Sequence, residues 1–168
     1  MTVHSCHVPH LAKLLATLRG GLTSSDNQQS SARPILDLAA YSDASSEVGI
    51  GIIIGQHWRA WRLLPGWKSN GRDIGWAEAV GLLLLATAIL PQPHNDHDLK
   101  VYGDNSGVIE GWWTGCSRNR PAGDVFGHLH DLADAHGTVI HTRYVRSGDN
   151  PADGPSQGIY PSPSLLLP

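Results

Sequence analysis

Cysteine is nearly absent: Cys6 and Cys116 are the whole complement of a 168-residue chain. Two thiols build neither a disulfide framework nor a paired zinc motif, so both read as plain thiols. Charge is also sparse, at 16% of residues, and 12 basic against 15 acidic side chains leave a net charge of -3. A strongly basic global balance is therefore excluded, and any phosphate contact must come from local clusters. Long apolar runs are missing too. The longest, Ala79 to Leu90, falls well short of the roughly 20 residues that cross a bilayer, so no membrane partner is expected. Residues 1–20 carry Lys13 and Arg19 behind histidines and lack the basic start, apolar middle and small-residue cleavage site of a secretory signal. An intracellular protein, cytoplasmic or nuclear, is expected. Gly49, Gly51 and Gly55 are not followed by Gly-Lys-Ser/Thr, so they form no phosphate loop.

What is present is enough for one domain. At 40% hydrophobic, the chain lies in the globular range and can bury a single core. Leu11, Leu14, Leu15 and Leu18 predict a helix over 10–19, ended by Gly20-Gly21, and the polar stretch 22–33 reads as a flexible linker. From Ile35 the pattern turns to short β-type runs at 35–41, 48–54 and 57–64, separated by turn-prone residues, which predicts an antiparallel meander. An Ala- and Leu-rich helix follows over 74–90 and stops at Pro91 and Pro93. A strand at 99–103, helices at 106–113 and 124–136, and a β-branched strand at 138–145 complete the order βββ-α-β-α-α-β. A last helical turn starts near Pro151, with Asn150 or Asp149 as its cap. The expected division is 1–33 as helix and linker, 34–160 as the folded domain and 161–168 as a Pro-rich tail.

The placement of the acids is informative because they are few. Asp43 follows the first strand in YSDAS and Asp104 follows the fourth in VYGDNSG, positions from which open sheets build sites. Glu78 lies inside the apolar helix WAEAVGLLLL, where an ionised side chain is costly unless it is paired or bound to a cation. Asp153 lies in SGDNPADGPS, near the last helical turn. Convergence of four carboxylates would raise some of their pKa values unless cations neutralised them, and all-oxygen donors favour Mg²⁺ or Mn²⁺. Two such ions about 4 Å apart serve in-line displacement at phosphorus. For each acid taken singly the alternative is a helix cap, a turn residue or a solvated side chain.

Asp after the first strand, Glu in the first long helix, Asp after the fourth strand and Asp near the last helix resembles the order of the ribonuclease H family. The strings YSDAS, GWAEAVGLLLL, VYGDNSGVIEGWWTGCSRN and YVRSGDNPADGPSQG are similar to the ribonuclease H domains that follow reverse transcriptase in retroelements, especially fungal-type ones. The resemblance runs from about Ile35 to Tyr160. It implies an α/β fold with a five-stranded mixed sheet, three antiparallel strands then two more, flanked by helices. It also implies hydrolysis of the RNA strand of RNA/DNA hybrids with two Mg²⁺ ions, Mn²⁺ substituting, leaving 5′-phosphate and 3′-hydroxyl ends. On this resemblance Asp43 bridges both metals, Glu78 and Asp104 complete the leaving-group metal, and Asp153 holds the nucleophile-side metal, with Asp149 as the competing fourth acid. Two departures stand out: no histidine occupies the loop RSGDN before the fourth acid, and Gln157 replaces the arginine of similar elements.

For the hybrid, Ser45, Asn105 and Ser106 near the acids, and Trp112, Arg118, Asn119 and Arg120 in WWTGCSRNR, are the candidate contacts. The helix amino end at Asn105-Ser106 suits phosphate, and A-form duplexes are recognised by shape rather than by base sequence. Core packing is the competing role for the tryptophans, Trp58, Trp61 and Trp76 in particular. Arg59, Arg62, Lys68 and Arg72 interleave with Trp58, Trp61 and Trp67 as the most basic stretch, or as one solvated strand face. The crowded His4, Cys6, His7 and His10 lack zinc spacing. The helix 74–90 is apolar around much of its circumference past Val80, so an unmet surface is expected, covered by an upstream reverse transcriptase region or by self-association. The competing function is a catalytically inactive ribonuclease H-like structural or connection module, or a degenerate retroelement copy.

Overall fold

The computed structural model describes residues 33–94, 96–115 and 117–168. The expected helix at 10–19, its linker up to residue 32, the histidine cluster and both cysteines lie outside the described residues. Strands β1 (Ile35–Ala44), β2 (Gly49–Ile54) and β3 (His57–Arg62) form the meander, and helix α1 (Ile74–Ile89) follows. Next come β4 (Asp98–Gly103), α2 (Ser106–Thr114), α3 (Arg120–Ala135), β5 (Ile140–Tyr144) and the single-turn helix α4 (Asp153–Ser156). The five strands make one mixed sheet in the order β3-β2-β1-β4-β5. β1 is antiparallel to β2 and parallel to β4, and β5 is parallel to β4.

The long helix fits its sequence. Asp73 caps it by accepting from the Trp76 N–H at 2.9 Å, and the ensuing apolar residues bury it between the sheet and α3. Ala40, Ile52, Leu99, Val101 and Ile140 from the strands meet Leu82, Leu85, Ile89, Phe126 and Leu129 from the helices in one core. The expectation of an unmet apolar surface on this helix is thereby corrected. Among its large apolar side chains only Ile74, at the first turn, is exposed, because a helix enclosed between two layers consumes nearly its whole circumference inside the domain. No helix among the described residues is long and apolar enough to cross a membrane.

Two boundaries also differ. Helix α3 starts at Arg120 rather than Asp124, because Asn119 accepts from the Ala122 N–H at 3.0 Å and Pro121 suits a first helical turn. The Pro-rich tail is part of the fold rather than an appendage. The Leu167 N–H donates to the Trp58 carbonyl at 2.9 Å, Trp58 Nε1 donates to the Ser162 carbonyl at 2.9 Å, and Tyr160 stacks on Trp58 with centroids 5.0 Å apart. The tail thus straps the edge strand β3, whose free backbone groups would otherwise be open to pairing. Deleting residues 159–168 is expected to lower the melting midpoint by about 5 °C or more and to promote self-association, read by calorimetry and light scattering.

Candidate active site

Parallel pairing of β1 and β4 sets Tyr41 opposite Tyr102, so two residues further along each chain Asp43 and Asp104 leave the same sheet edge side by side. Asp43 lies inside β1, paired with Gly51, rather than after the strand as expected. Asp104 immediately follows β4. Glu78 reaches this edge because α1 passes close over β1: a Cβ at Gly81 would stand 3.2 Å from Ile50 Cγ2 and 3.5 Å from Ser42 Cβ. Carboxylate oxygens of Asp43, Glu78 and Asp104 all lie within 4.8 Å of one another.

Their electrostatics are unfavourable without a cation. Asp43 and Glu78 are buried, and the ion pairs among the described residues, Lys100–Asp37 and His141–Asp98, lie elsewhere. Burial pushes Glu78 up to about 9, with the charges of Asp43 and Asp104 adding to it and a hydrogen bond from the Ala44 N–H opposing it. Burial likewise raises Asp43 to about 6; the Ser156 hydroxyl opposes this, while Asp104 and then Asp153 raise it further. Three clustered carboxylates that repel one another in a low-dielectric setting form an all-oxygen donor set suited to hard divalent cations.

The last segment approaches the same edge. Asp153 opens α4, half-buried, and its Oδ1 accepts from Gln157 Nε2 at 2.6 Å. It lies outside the trio within 4.8 Å, yet its charge acts on Asp43. Asp149 sits exposed in the 3-10 turn Ser147–Asp149 and is not among the charges acting on Asp43. Two polar residues tie this segment to β1. Buried Asn150 donates through Nδ2 to the Ser42 carbonyl at 3.0 Å and accepts from the Ala152 N–H at 3.1 Å. Ser156 donates its hydroxyl to Asp43 Oδ2. The sequence pattern offers Asn150 only as a cap and gives Ser156 no role, although a serine three residues beyond an acid on one helical turn is a local signal.

The expected duplex contacts divide. Ser106 is exposed beside the acids, at the start of α2, whose cap Asn105 accepts from the Val108 N–H at 3.2 Å. Ser45 occupies the β1–β2 turn, its N–H donating to the Gly49 carbonyl at 2.8 Å. Arg118 and Arg120 are exposed and line an open groove of about 590 Å³ with Asn70, Gly71, Pro121 and Asp124. Asn119 is spent structurally: besides capping α3, it donates through Nδ2 to the Gly71 carbonyl at 2.8 Å.

Trp112 is the clearest correction, since it is 4% exposed and cannot offer its ring to a base. Its Nε1 donates to the Ile140 carbonyl at 2.9 Å and its ring stacks on His130 at 4.0 Å, so it joins α2, α3 and β5. Trp112→Ala is expected to cost about 3–5 kcal/mol in urea unfolding. Of the basic, aromatic stretch, Trp58 is buried under the tail and Arg59 donates to the Leu167 carbonyl at 3.0 Å. Arg72 lies 4.9 Å over Trp76, which stacks on Trp67.

This arrangement of sheet, helices and edge site defines a ribonuclease H-like fold. No protein-family profile matches the chain, and no curated protein matches it. Among solved structures, LC11-RNase H1 in complex with an RNA/DNA hybrid is similar at a TM-score of 0.57 and 12% identity, over 69% of this chain and 91% of that one. RNase H1 from the halophilic archaeon Halobacterium salinarum NRC-1 is similar at a TM-score of 0.55 and 15% identity, over 74% of this chain and 96% of that one.

Proposed function

We propose that this chain is a divalent-metal-dependent nuclease that hydrolyses the RNA strand of RNA/DNA hybrids within retroelement reverse transcription. The observation that carries the proposal is the buried trio Asp43, Glu78 and Asp104, with oxygens within 4.8 Å, at the edge of a fold shared with RNase H1 enzymes. LC11-RNase H1 was solved on such a hybrid, which supports that substrate class here.

Asp43, Glu78 and Asp104 would hold the cation on the leaving-group side, and Asp43 with Asp153 the one on the nucleophile side. When bound, two Mg²⁺ or Mn²⁺ ions supply activation of water and stabilisation of the departing oxygen. The phosphodiester P–O3′ bond breaks as the bond from water oxygen to phosphorus forms, giving a 5′-phosphate and a 3′-hydroxyl. The fold shields Asp43 and Glu78 from bulk solvent, and Ser106 with Arg118 and Arg120 offers exposed polar and basic groups for the sugar-phosphate backbone. The retroelement setting is supported by the four sequence strings. A transcript encoding polymerase-type sequence upstream would strengthen it, and a stand-alone transcript would count against it.

One feature favours the inactive alternative: Gln157, in place of an arginine, ties its amide to Asp153. The deciding experiment offers the folded chain a hybrid labelled on each strand, with Mg²⁺ or Mn²⁺. Cut RNA and intact DNA are expected. No cleavage with either ion would point to a structural or degenerate module.

A further inference from the structure

We propose that Ser156 is a positioning residue for the metal-holding acids, fixing the carboxylate of Asp43 from the same helical turn that brings in Asp153. This rests on the nuclease reading above. Ser156 is wholly buried, and its hydroxyl reaches Asp43 Oδ2 from 113 positions away in the chain. Its Oγ also lies 2.9 Å from the Asp153 carbonyl. A hydroxyl has one proton, and an ionised carboxylate is a stronger acceptor than a peptide carbonyl, so the proton is directed to Asp43.

The approach is built into the backbone. Gly51 pairs with Asp43 across β1 and β2, and a Cβ there would stand 2.6 Å from the Ser156 nitrogen, 2.7 Å from the Ala152 oxygen and 2.9 Å from Pro155 Cβ. Only the bare glycine lets α4 settle onto the sheet deeply enough for Ser156 to touch Asp43. Asn150 pins the other side of the turn to the Ser42 carbonyl, the residue before Asp43. Asp43 needs such a restraint because the neighbouring charges of Asp104 and Asp153 repel its carboxylate. A lysine or arginine would restrain it by neutralising the charge a cation requires. A neutral hydroxyl orients it and leaves the charge in place.

The test is Mn²⁺ titration without nucleic acid, followed by the spin-resonance signal of the free ion, with melting of the metal-free proteins alongside. The intact chain, Asp43→Asn, Ser156→Ala and Ser156→Cys are compared. Ser156→Ala is expected to weaken Mn²⁺ binding about tenfold, the usual scale for a residue that orients a ligand. Ser156→Cys, with its weak S–H donor, should fall between, and the metal-free melting midpoints should stay close to that of the intact chain. Intact-strength binding by Ser156→Ala would overturn the proposal, as would an intact chain that binds Mn²⁺ no better than Asp43→Asn. If Ser156→Ala does not fold, Ser156→Cys decides: full affinity overturns the role and reduced affinity supports it. Weakened binding in a chain whose intact form cuts no hybrid would uphold the positioning role while the nuclease reading fails.

Discussion

Replacing Asp43 with asparagine is expected to reduce RNA-strand cleavage about a thousandfold, the scale on which removing one preorganised charge acts. The side chain keeps its shape, and its amide oxygen can still accept from Ser156, so the fold should survive. What is lost is the negative charge at the centre of the site, among Glu78, Asp104 and Asp153. Asp153→Asn should show a similar loss. Asp149→Asn should leave the rate unchanged, because Asp149 is exposed in the preceding turn. Hybrid cleavage at saturating Mg²⁺, with circular dichroism as the folding control, reads all three. A rate that falls with Asp149→Asn and not with Asp153→Asn would reverse the assignment of the fourth acid.

Glu78→Gln is expected to raise stability while abolishing cleavage. The ordinary value of Glu78, 4.5, is raised to about 9 in the fold, and that of Asp43, 3.8, to about 6. Below the ordinary values both carboxyls are protonated in the folded and unfolded chain alike, and neither costs stability. Between the ordinary and raised values the folded chain retains protons the unfolded chain has released. Metal-free stability therefore falls as pH rises, through about pH 4–6 for Asp43 and on to about pH 9 for Glu78. A glutamine carries no charge to desolvate and still accepts from the Ala44 N–H. In chelator at pH 8 its melting midpoint should exceed that of the intact chain by about 5 °C. Mg²⁺ or Mn²⁺ should stabilise the intact chain and largely fail to stabilise Glu78→Gln. A lower midpoint for Glu78→Gln in chelator would mean that the ionised carboxylate is a favourable part of the fold.

The tightly placed acids also account for how the last segment is used. Asn150 and Ser156 flank Asp153 and grip consecutive residues of β1, Ser42 and Asp43. A short turn therefore needs few apolar contacts of its own to hold its place. The C-terminal strap over Trp58 adds a second anchor beyond it.

Element order and acid order were legible in the sequence because both are local. Length and an Ala- and Leu-rich composition ended by prolines marked α1, β-branched residues marked β5, and an isolated glutamate in an apolar helix announced that something must neutralise it. The resemblance carried by four short strings supplied the fold class, which the β3-β2-β1-β4-β5 sheet bears out. Only the tertiary structure decided which tryptophan is core, that the tail belongs to the domain, and that Ser156 touches Asp43. Those facts depend on separations of 28 residues between Trp112 and Ile140, 104 between Trp58 and Ser162 and 113 between Ser156 and Asp43. Local pattern fixes which face of an element is apolar. The neighbour that covers it is set by packing between layers, where a glycine such as Gly51 admits a helix that any side chain would hold away.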